Sequence, residues 1–288
     1  MIWVILTVLG LCAGSFVNAL VWRLRQQELL AQNKGVRSKN YGKKSLIHNS
    51  SFSILSGRSQ CPHCHRELAA KDLVPVLSWL FLRGKCRYCN RPISIQYPVV
   101  ELTTAAIFNI SYAYWPGGVY GVGDWVILIT WLVTSVGLLA LLIYDLKWML
   151  LPNKIIYPTL AIAVTGRLIY LVSFESDLEP AIAEWALSVL IASGIFWLIF
   201  TMSSGKWIGY GDVRLGLITG TILADPLLSL MMIFVASVLG TLVALPALAA
   251  GRKRIGSHIP FGPFLITATA IVLIVGQAPI DWYKRLLE

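Results

Sequence analysis

Apolar residues come in long runs along the chain, not in alternation with polar ones. Ile2–Trp22, Tyr97–Trp115, Asp124–Tyr144, Ile155–Phe174, Ala183–Thr201, Leu227–Ala249 and Phe261–Ala278 each hold an apolar stretch near the ~20 residues that a membrane-crossing helix needs. An eighth run, Val213–Ala224, is short: its residues rise only about 18 Å as a helix, against a hydrocarbon core of about 30 Å. No series of short alternating strands is present, so the spans are helices and not barrel strands. The pattern predicts an all-α polytopic membrane protein of about eight transmembrane helices. Residues 1–24 form the first span, 25–96 a polar loop, and 97–288 the remaining membrane core. No basic region precedes the first span and no small-residue cleavage site follows it, so it is expected to be retained. Within the loop, Leu73–Leu82 is apolar but too short to cross, and reads as an interfacial or packing segment.

Composition agrees. Hydrophobic residues make up 57% of the 288 residues and charged ones 13%, and the mean hydropathy is +0.70, which excludes a soluble globular domain. The formal net charge of +10 is concentrated. Between Arg23 and Gln96, fourteen Lys and Arg face three acids (Glu28, Glu67, Asp72), an excess of 14 − 3 = +11. The positive-inside rule places that loop in the cytoplasm. Basic residues beside membrane spans contact anionic lipid. No interleaving of basic and aromatic residues accompanies them, so no nucleic-acid partner is expected.

Four of the five cysteines form Cys61-x-x-Cys64 and Cys86-x-x-Cys89, with 21 residues between Cys64 and Cys86. That spacing is near the zinc-ribbon pattern, in which four thiolates close a tetrahedral structural site. Thiol redox chemistry is the alternative use. His63 and His65 are close enough in sequence to compete as ligands, but the sulfur set is complete without them.

Polar residues inside the apolar runs carry the candidate chemistry. Asp145 ends the third run before Leu151-Pro152-Asn153, and Asp212 follows Gly209-Tyr210-Gly211 at the head of the short sixth run. Threading the spans alternately across the membrane brings both to the cytoplasmic face. Two carboxylates within reach of each other share a proton, and such a dyad can activate water while polarising a carbonyl. Asp is also a common helix N-cap, so Asp212 has a purely structural alternative. Asn18, Arg23 and Glu101 lie at the same face. Their structural alternatives are helix packing, snorkelling to lipid phosphate and a charge at a helix N-terminus.

Four stretches together resemble the bacterial type IV prepilin peptidases, bifunctional membrane aspartyl peptidases and N-methyltransferases. Gly14–Leu24 resembles the amino-terminal signature of that family. Arg58–Cys64 through Cys86–Cys89 and on to Tyr97-Pro98-Val99-Val100-Glu101-Leu102 resembles its cysteine domain. Asp145–Asn153 and Gly209–Leu215 match its two aspartate motifs, and Ile259-Pro260-Phe261-Gly262-Pro263-Phe264 is similar to a later one. The resemblance implies an enzyme of the bacterial inner membrane with its site facing the cytoplasm. It would cut the short basic leader of prepilin or pseudopilin substrates of a pilus or secretion system, then methylate the new amine with S-adenosylmethionine. It implies Asp145 and Asp212 as the catalytic pair and a zinc-binding role for Cys61, Cys64, Cys86 and Cys89. Asn18, Arg23 and Glu101 are the candidates for the methyl-donor site, because no Gly-rich strand-turn-helix of a Rossmann pocket is present. Two positions depart from the family pattern: Arg214 stands where Lys is usual, and Asn153 where Asp is common. The competing readings are another intramembrane aspartyl protease, a zinc-anchored scaffold of a pilus or secretion assembly, and a thiol redox protein.

Overall fold

The computed structural model describes residues 1–36, 59–64, 66–249 and 260–287. Most of the unmatched stretch 26–56, His65, the basic Arg252-Lys253-Arg254 and Ile259 lie outside the described residues. The chain divides into two compact units, Met1–Asn109 and Ile110–Glu288.

The first unit opens with α1 (Ile2–Val36). The apolar run ends at Trp22 but the helix does not, because Gln26–Ala31 is composed of Gln, Glu, Leu and Ala, all strong helix formers. Residues 59–95 form the cysteine module. It holds a single 3₁₀ turn at Ala70–Asp72 and the five-residue α2 (Leu77–Phe81), which is too short to cross a membrane, as its sequence predicts. The next helix, α3 (Gln96–Ala113), lies directly on α1. A β-carbon on Gly10 would sit 2.5 Å from Ala105 Cα, and one on Gly14 2.5 Å from Glu101 Cα. These glycines permit backbone-to-backbone packing of the kind membrane helices use.

The second unit is built from α4 (Val122–Trp148), α5 (Asn153–Phe174), α6 (Leu178–Ser203), α7 (Tyr210–Leu223), α8 (Pro226–Ala249), α9 (Gly262–Val275) and α10 (Gln277–Leu287). Five of the described helices, α1, α4, α5, α6 and α8, are long and apolar enough to cross a membrane. The remaining predicted spans correspond to α3 and to the shorter α7 and α9.

Several boundaries differ from the expectation. The fifth apolar run begins at Ala183, yet α6 begins at Leu178; a proline in the first turn costs nothing, since that N–H has no intrahelical acceptor. The last predicted span splits at Gly276 into α9 and α10. Pro279, at the third position of α10, cannot donate back along the ladder, so the hydrogen-bond series restarts there.

The short α7 is gripped by α6. A β-carbon on Gly216 would lie 2.3 Å from the Ala192 carbonyl oxygen, and one on Gly220 2.8 Å from Val189 Cα. Ser193 Oγ donates to the Val213 carbonyl at 2.9 Å, and Ser188 Oγ to the Gly220 carbonyl at 2.8 Å. With glycines at 216 and 220 turned to α6, α7 sinks against that helix and also meets α5 and α9. Its N-terminus, which carries Asp212, is therefore fixed in depth and rotation.

Candidate active site and metal centre

Asp145 lies in the last turn of α4. The helix ends at Met149, a left-handed residue (φ 54°) whose N–H donates to the Asp145 carbonyl at 2.8 Å. Pro152, itself extended, then caps α5. Asp212 is in the first turn of α7, and its structural role differs from the one expected. The N-cap is Gly209, and Asp212 stands three residues into the helix, its carboxylate accepting the Gly209 N–H. Tyr210 and Gly211 already have helical geometry, and the turn closes on the cap residue itself, the Asp212 N–H donating to the Gly209 carbonyl at 3.1 Å. The second glycine of the motif has a steric cause: a β-carbon on Gly211 would come within 2.9 Å of Leu151 Cδ1.

The two carboxylates meet at Gly262, which lies in the stretch similar to a later family motif but to which the sequence assigned no role. The Gly262 N–H, at the start of α9, donates to Asp145. A β-carbon on Gly262 would stand 2.6 Å from Asp145 Oδ2 and 3.7 Å from Asp212 Oδ1. The two oxygens are thus no further apart than the sum of those distances, 6.3 Å. Asp145 is 5% exposed and Asp212 8%. Both carboxylates face helix N-termini, those of α7 and α9, where unpaired N–H groups favour negative charge. The signal that could have found Gly262 is its place in the Pro260-Phe261-Gly262-Pro263 segment, a glycine ahead of a helix-starting proline.

The two departures from the family pattern are partners. Arg214 Nη1 donates to Asn153 Oδ1, and the guanidinium lies 4.7 Å over the Tyr210 ring. The pair ties the start of α5 to the first turn of α7, beside Asp212.

In the other unit, each Cys-x-x-Cys forms a knuckle closed by an isolated bridge, Gln60 with Glu67 and Lys85 with Pro92. Cys61 N–H donates to the Arg66 carbonyl at 3.0 Å and Cys86 N–H to the Arg91 carbonyl at 2.9 Å, so the two turns are alike. The four Sγ atoms lie within 4.8 Å of one another, and Cys61 and Cys89 Sγ are 3.9 Å apart. A tetrahedron with metal–sulfur bonds of about 2.3 Å places its sulfurs about 3.8 Å apart, so the cluster has the dimensions of a four-thiolate site. Among the described residues no histidine joins it.

A second clamp secures the module. Arg87 Nε donates to Asp72 Oδ1 at 2.6 Å and Tyr88 OH to Asp72 Oδ2 at 3.0 Å, with Arg66 4.7 Å over the Tyr88 ring. Burial works to raise the Asp72 carboxyl, but the hydrogen bonds from Arg87, Tyr88 and the Ala69 N–H outweigh it and hold the group below the ordinary carboxylate range.

The candidates for the methyl-donor site are well tied. Asn18 donates to the Gly14 and Tyr97 carbonyls at 3.3 and 3.1 Å and accepts from Gln96 Nε2 at 3.1 Å. Glu101 accepts the Val76 N–H at 2.7 Å and the Ser15 hydroxyl. Val76 has φ 59°, unusual for a β-branched residue, in a turn closed by Leu77 N–H on the Pro75 carbonyl at 2.5 Å. The buried Glu101 carboxylate holds that turn in place. Arg23 is buried in the same unit.

Fold and site together define a helical membrane protein with a buried two-carboxylate centre in one unit and a four-cysteine module in the other. Comparison with known proteins divides the chain in the same way. Residues 8–115 match the bacterial peptidase A24 N-terminal domain, and residues 132–245 match the type IV leader peptidase family. A prepilin leader peptidase/N-methyltransferase of Stutzerimonas stutzeri is 30% identical over 273 residues, covering 94% of this chain and 89% of that protein. The corresponding protein of Aeromonas hydrophila is 30% identical over 275 residues, 95% of this chain and 91% of its own. One from Burkholderia pseudomallei strain 1026b is 32% identical over 273 residues, with 93% and 84% covered. The chain belongs to the type IV leader peptidase family. No solved structure matches it.

Proposed function

We propose that the protein removes the leader peptide of prepilin-like substrates at the cytoplasmic face of the bacterial inner membrane and then N-methylates the new amino terminus. Asp145 and Asp212 carry the cleavage. The observation that supports this most is their convergence on Gly262, which brings two buried carboxylates within 6.3 Å of each other. In that arrangement the pair holds a single proton. The ionised carboxylate takes a proton from the water as it attacks the scissile carbonyl carbon, and the protonated one donates to the carbonyl oxygen. Collapse of the tetrahedral intermediate returns a proton to the leaving amine. The Gly262 and Gly209 N–H groups hold the carboxylates in place throughout and cost no reorganisation.

Cys61, Cys64, Cys86 and Cys89 would hold zinc as a structural ion, since four thiolates leave no open coordination position. S-adenosylmethionine supplies the methyl group when bound. Of the three candidates for its site, Glu101 has the chemistry that suits a sulfonium cation, a buried carboxylate, while Asn18 serves to tie α1 to α3. A non-enzymatic scaffold is not favoured, because it has no use for two carboxylates facing each other out of water.

The test is incubation of full-length protein with a prepilin in lipid, followed by mass spectrometry of the new amino terminus. Asp145→Asn and Asp212→Asn each abolish cleavage, and the double variant is no worse than either single one, because the two act as a unit. Asp124→Asn, in Gly121-Val122-Gly123-Asp124, the other Gly-x-Gly-Asp of the chain, leaves cleavage intact. Cleavage by either Asn variant at near the wild-type rate would reduce that aspartate to a helix-end residue.

A further inference from the structure

The cysteine module leaves an apolar face uncovered. Leu73, Val74, Leu77, Leu80 and Phe81 lie in or just before α2 and are all exposed, Phe81 to 81%. Trp79, among them, is turned the other way, its Nε1 donating to the Ile93 carbonyl at 3.2 Å. Large apolar side chains gathered so closely on an open surface mark a contact with something other than water.

The level of this face is fixed by the helices beside it. Asn18 Nδ2 donates to the Tyr97 carbonyl at 3.1 Å, while β-carbons on Gly14 and Gly10 would each stand 2.5 Å from Glu101 Cα and Ala105 Cα. Each step of four residues back along α1 thus matches four forward along α3, and the two helices run antiparallel in one register. Glu101 Oε2 in turn accepts the Val76 N–H at 2.7 Å, which puts Val76 beside the Gly14 level of α1. From Gly14 the apolar run of α1 continues to Trp22 before the first charge, at Arg23. Those eight residues rise about 12 Å at about 1.5 Å each. Tryptophan and arginine mark the membrane boundary, so the turn at Val76 lies about 12 Å inside it. At the same level α1 and α3 present the exposed apolar residues Phe16, Val99 and Leu102.

Backbone at such a depth must find its hydrogen bonds within the protein. The Val76 N–H, at the head of α2, has Glu101, and the Ser78, Leu80 and Leu82 N–H groups donate to the Val74, Val76 and Ser78 carbonyls at 3.0 Å each. The chain then returns towards the foot of α3, where Ile93 N–H donates to the Gly84 carbonyl at 2.7 Å. Lys71 precedes the apolar segment and Arg83 and Lys85 follow it, all exposed.

We propose that Leu73–Leu82 is a re-entrant segment that dips into the membrane beside α1 and α3 and rests its apolar face on the lipid acyl chains of the leaflet on the module's own side. Lys71 and Arg83 carry their charges back to the headgroup phosphates. Cys86 follows Gly84 by two residues, so the four-cysteine cluster is held at the membrane surface.

Full-length protein in vesicles of phosphatidylethanolamine and phosphatidylglycerol tests this. Benzoylphenylalanine, which inserts into neighbouring C–H bonds on irradiation, is placed at Leu77, at Phe81 or, as a reference, at the exposed Leu9 of α1. Mass spectrometry shows a phospholipid added at Leu77 and Phe81 as readily as at Leu9. After digestion and saponification the labelled peptides keep a fatty acid, the mark of attack on an acyl chain. In a second arm, Phe81→Asp in vesicles makes the module roughly tenfold more open to trypsin, because a carboxylate facing hydrocarbon favours the opened form; Phe81→Leu is as resistant as the wild type. Phe81 is exposed, so neither change disturbs packing within the protein. The proposal is overturned by lipid adducts at Leu9 alone, by adducts that keep only a headgroup, or by Phe81→Asp as resistant as the wild type. Crosslinking to added prepilin in place of lipid also overturns it, and would make the face a substrate dock. None of these outcomes decides leader cleavage, which the Asp145 and Asp212 variants test separately.

Discussion

A single methyl group at Gly262 should disable the enzyme while leaving the fold in place. The β-carbon of Gly262→Ala would fall 2.6 Å from Asp145 Oδ2, where ordinary contact begins at 3.4 Å, so the carboxylate must retreat by the difference of 0.8 Å. The same methyl lies 3.7 Å from Asp212 Oδ1 and takes part of the space in which a water would stand. Catalytic groups need placement to within about 0.5 Å, and an error near 1 Å can cost about a hundredfold. We therefore expect leader cleavage to fall roughly a hundredfold, equivalent to about 2.7 kcal/mol of transition-state stabilisation. Stability should change by no more than about 1 kcal/mol, because alanine favours the helix while the following proline disfavours it there. The assay is the rate of prepilin cleavage by the purified variant, paired with its melting temperature and helical circular dichroism. A folded Gly262→Ala protein cleaving at near the wild-type rate would refute the placement of the carboxylates around Gly262. Loss of activity accompanied by unfolding would refute the claim that this glycine serves the site and not the fold.

The two glycines before Asp212 should differ: Gly211→Ala impairs cleavage because its β-carbon meets Leu151 at 2.9 Å, while Gly209→Ala is tolerated because its nearest neighbour is 3.7 Å away, and initial rates of the two variants decide this. Purified protein should contain one zinc per chain by elemental analysis, and a Cys61→Ser, Cys64→Ser variant should lose it, with the module more open to proteolysis. Asp72→Asn should destabilise the module at neutral pH. The native Asp72 carboxyl is held low, so its contribution is complete above the ordinary carboxylate range and is lost as the pH falls through the lower folded-state value. The gap in thermal stability between wild type and Asp72→Asn should therefore close in acid, and a gap that widens there would exclude the clamp.

The helical membrane class and the location of the cysteine module were legible in the residues themselves, because each rests on local chemistry. An apolar run long enough for a bilayer must be helical, and two closely spaced thiolate pairs form matched knuckles whatever surrounds them. Helix ends were less legible: α1 continues past its apolar run through residues of high helix propensity, and α6 takes Pro180 into its first turn. The chain also contains Gly121-Val122-Gly123-Asp124, the same local pattern as Gly209-Tyr210-Gly211-Asp212. Both fold identically, with glycine as N-cap and the Asp side chain accepting the glycine N–H from three residues on. Nothing local separates them. Only the packing of α4, α7 and α9 turns one carboxylate towards Asp145 and Gly262 and leaves Asp124 on its own turn, bonded to the Tyr120 and Gly121 N–H groups. The same holds for Asn153 and Arg214, 61 positions apart and separate departures in the sequence, which the contact between α5 and α7 makes into one pair. Local sequence sets hydrogen-bonding and burial preferences residue by residue. Which carboxylates face each other depends on contacts between distant helices, and those are fixed by where small residues such as Gly216, Gly220 and Gly262 let backbones and side chains close in.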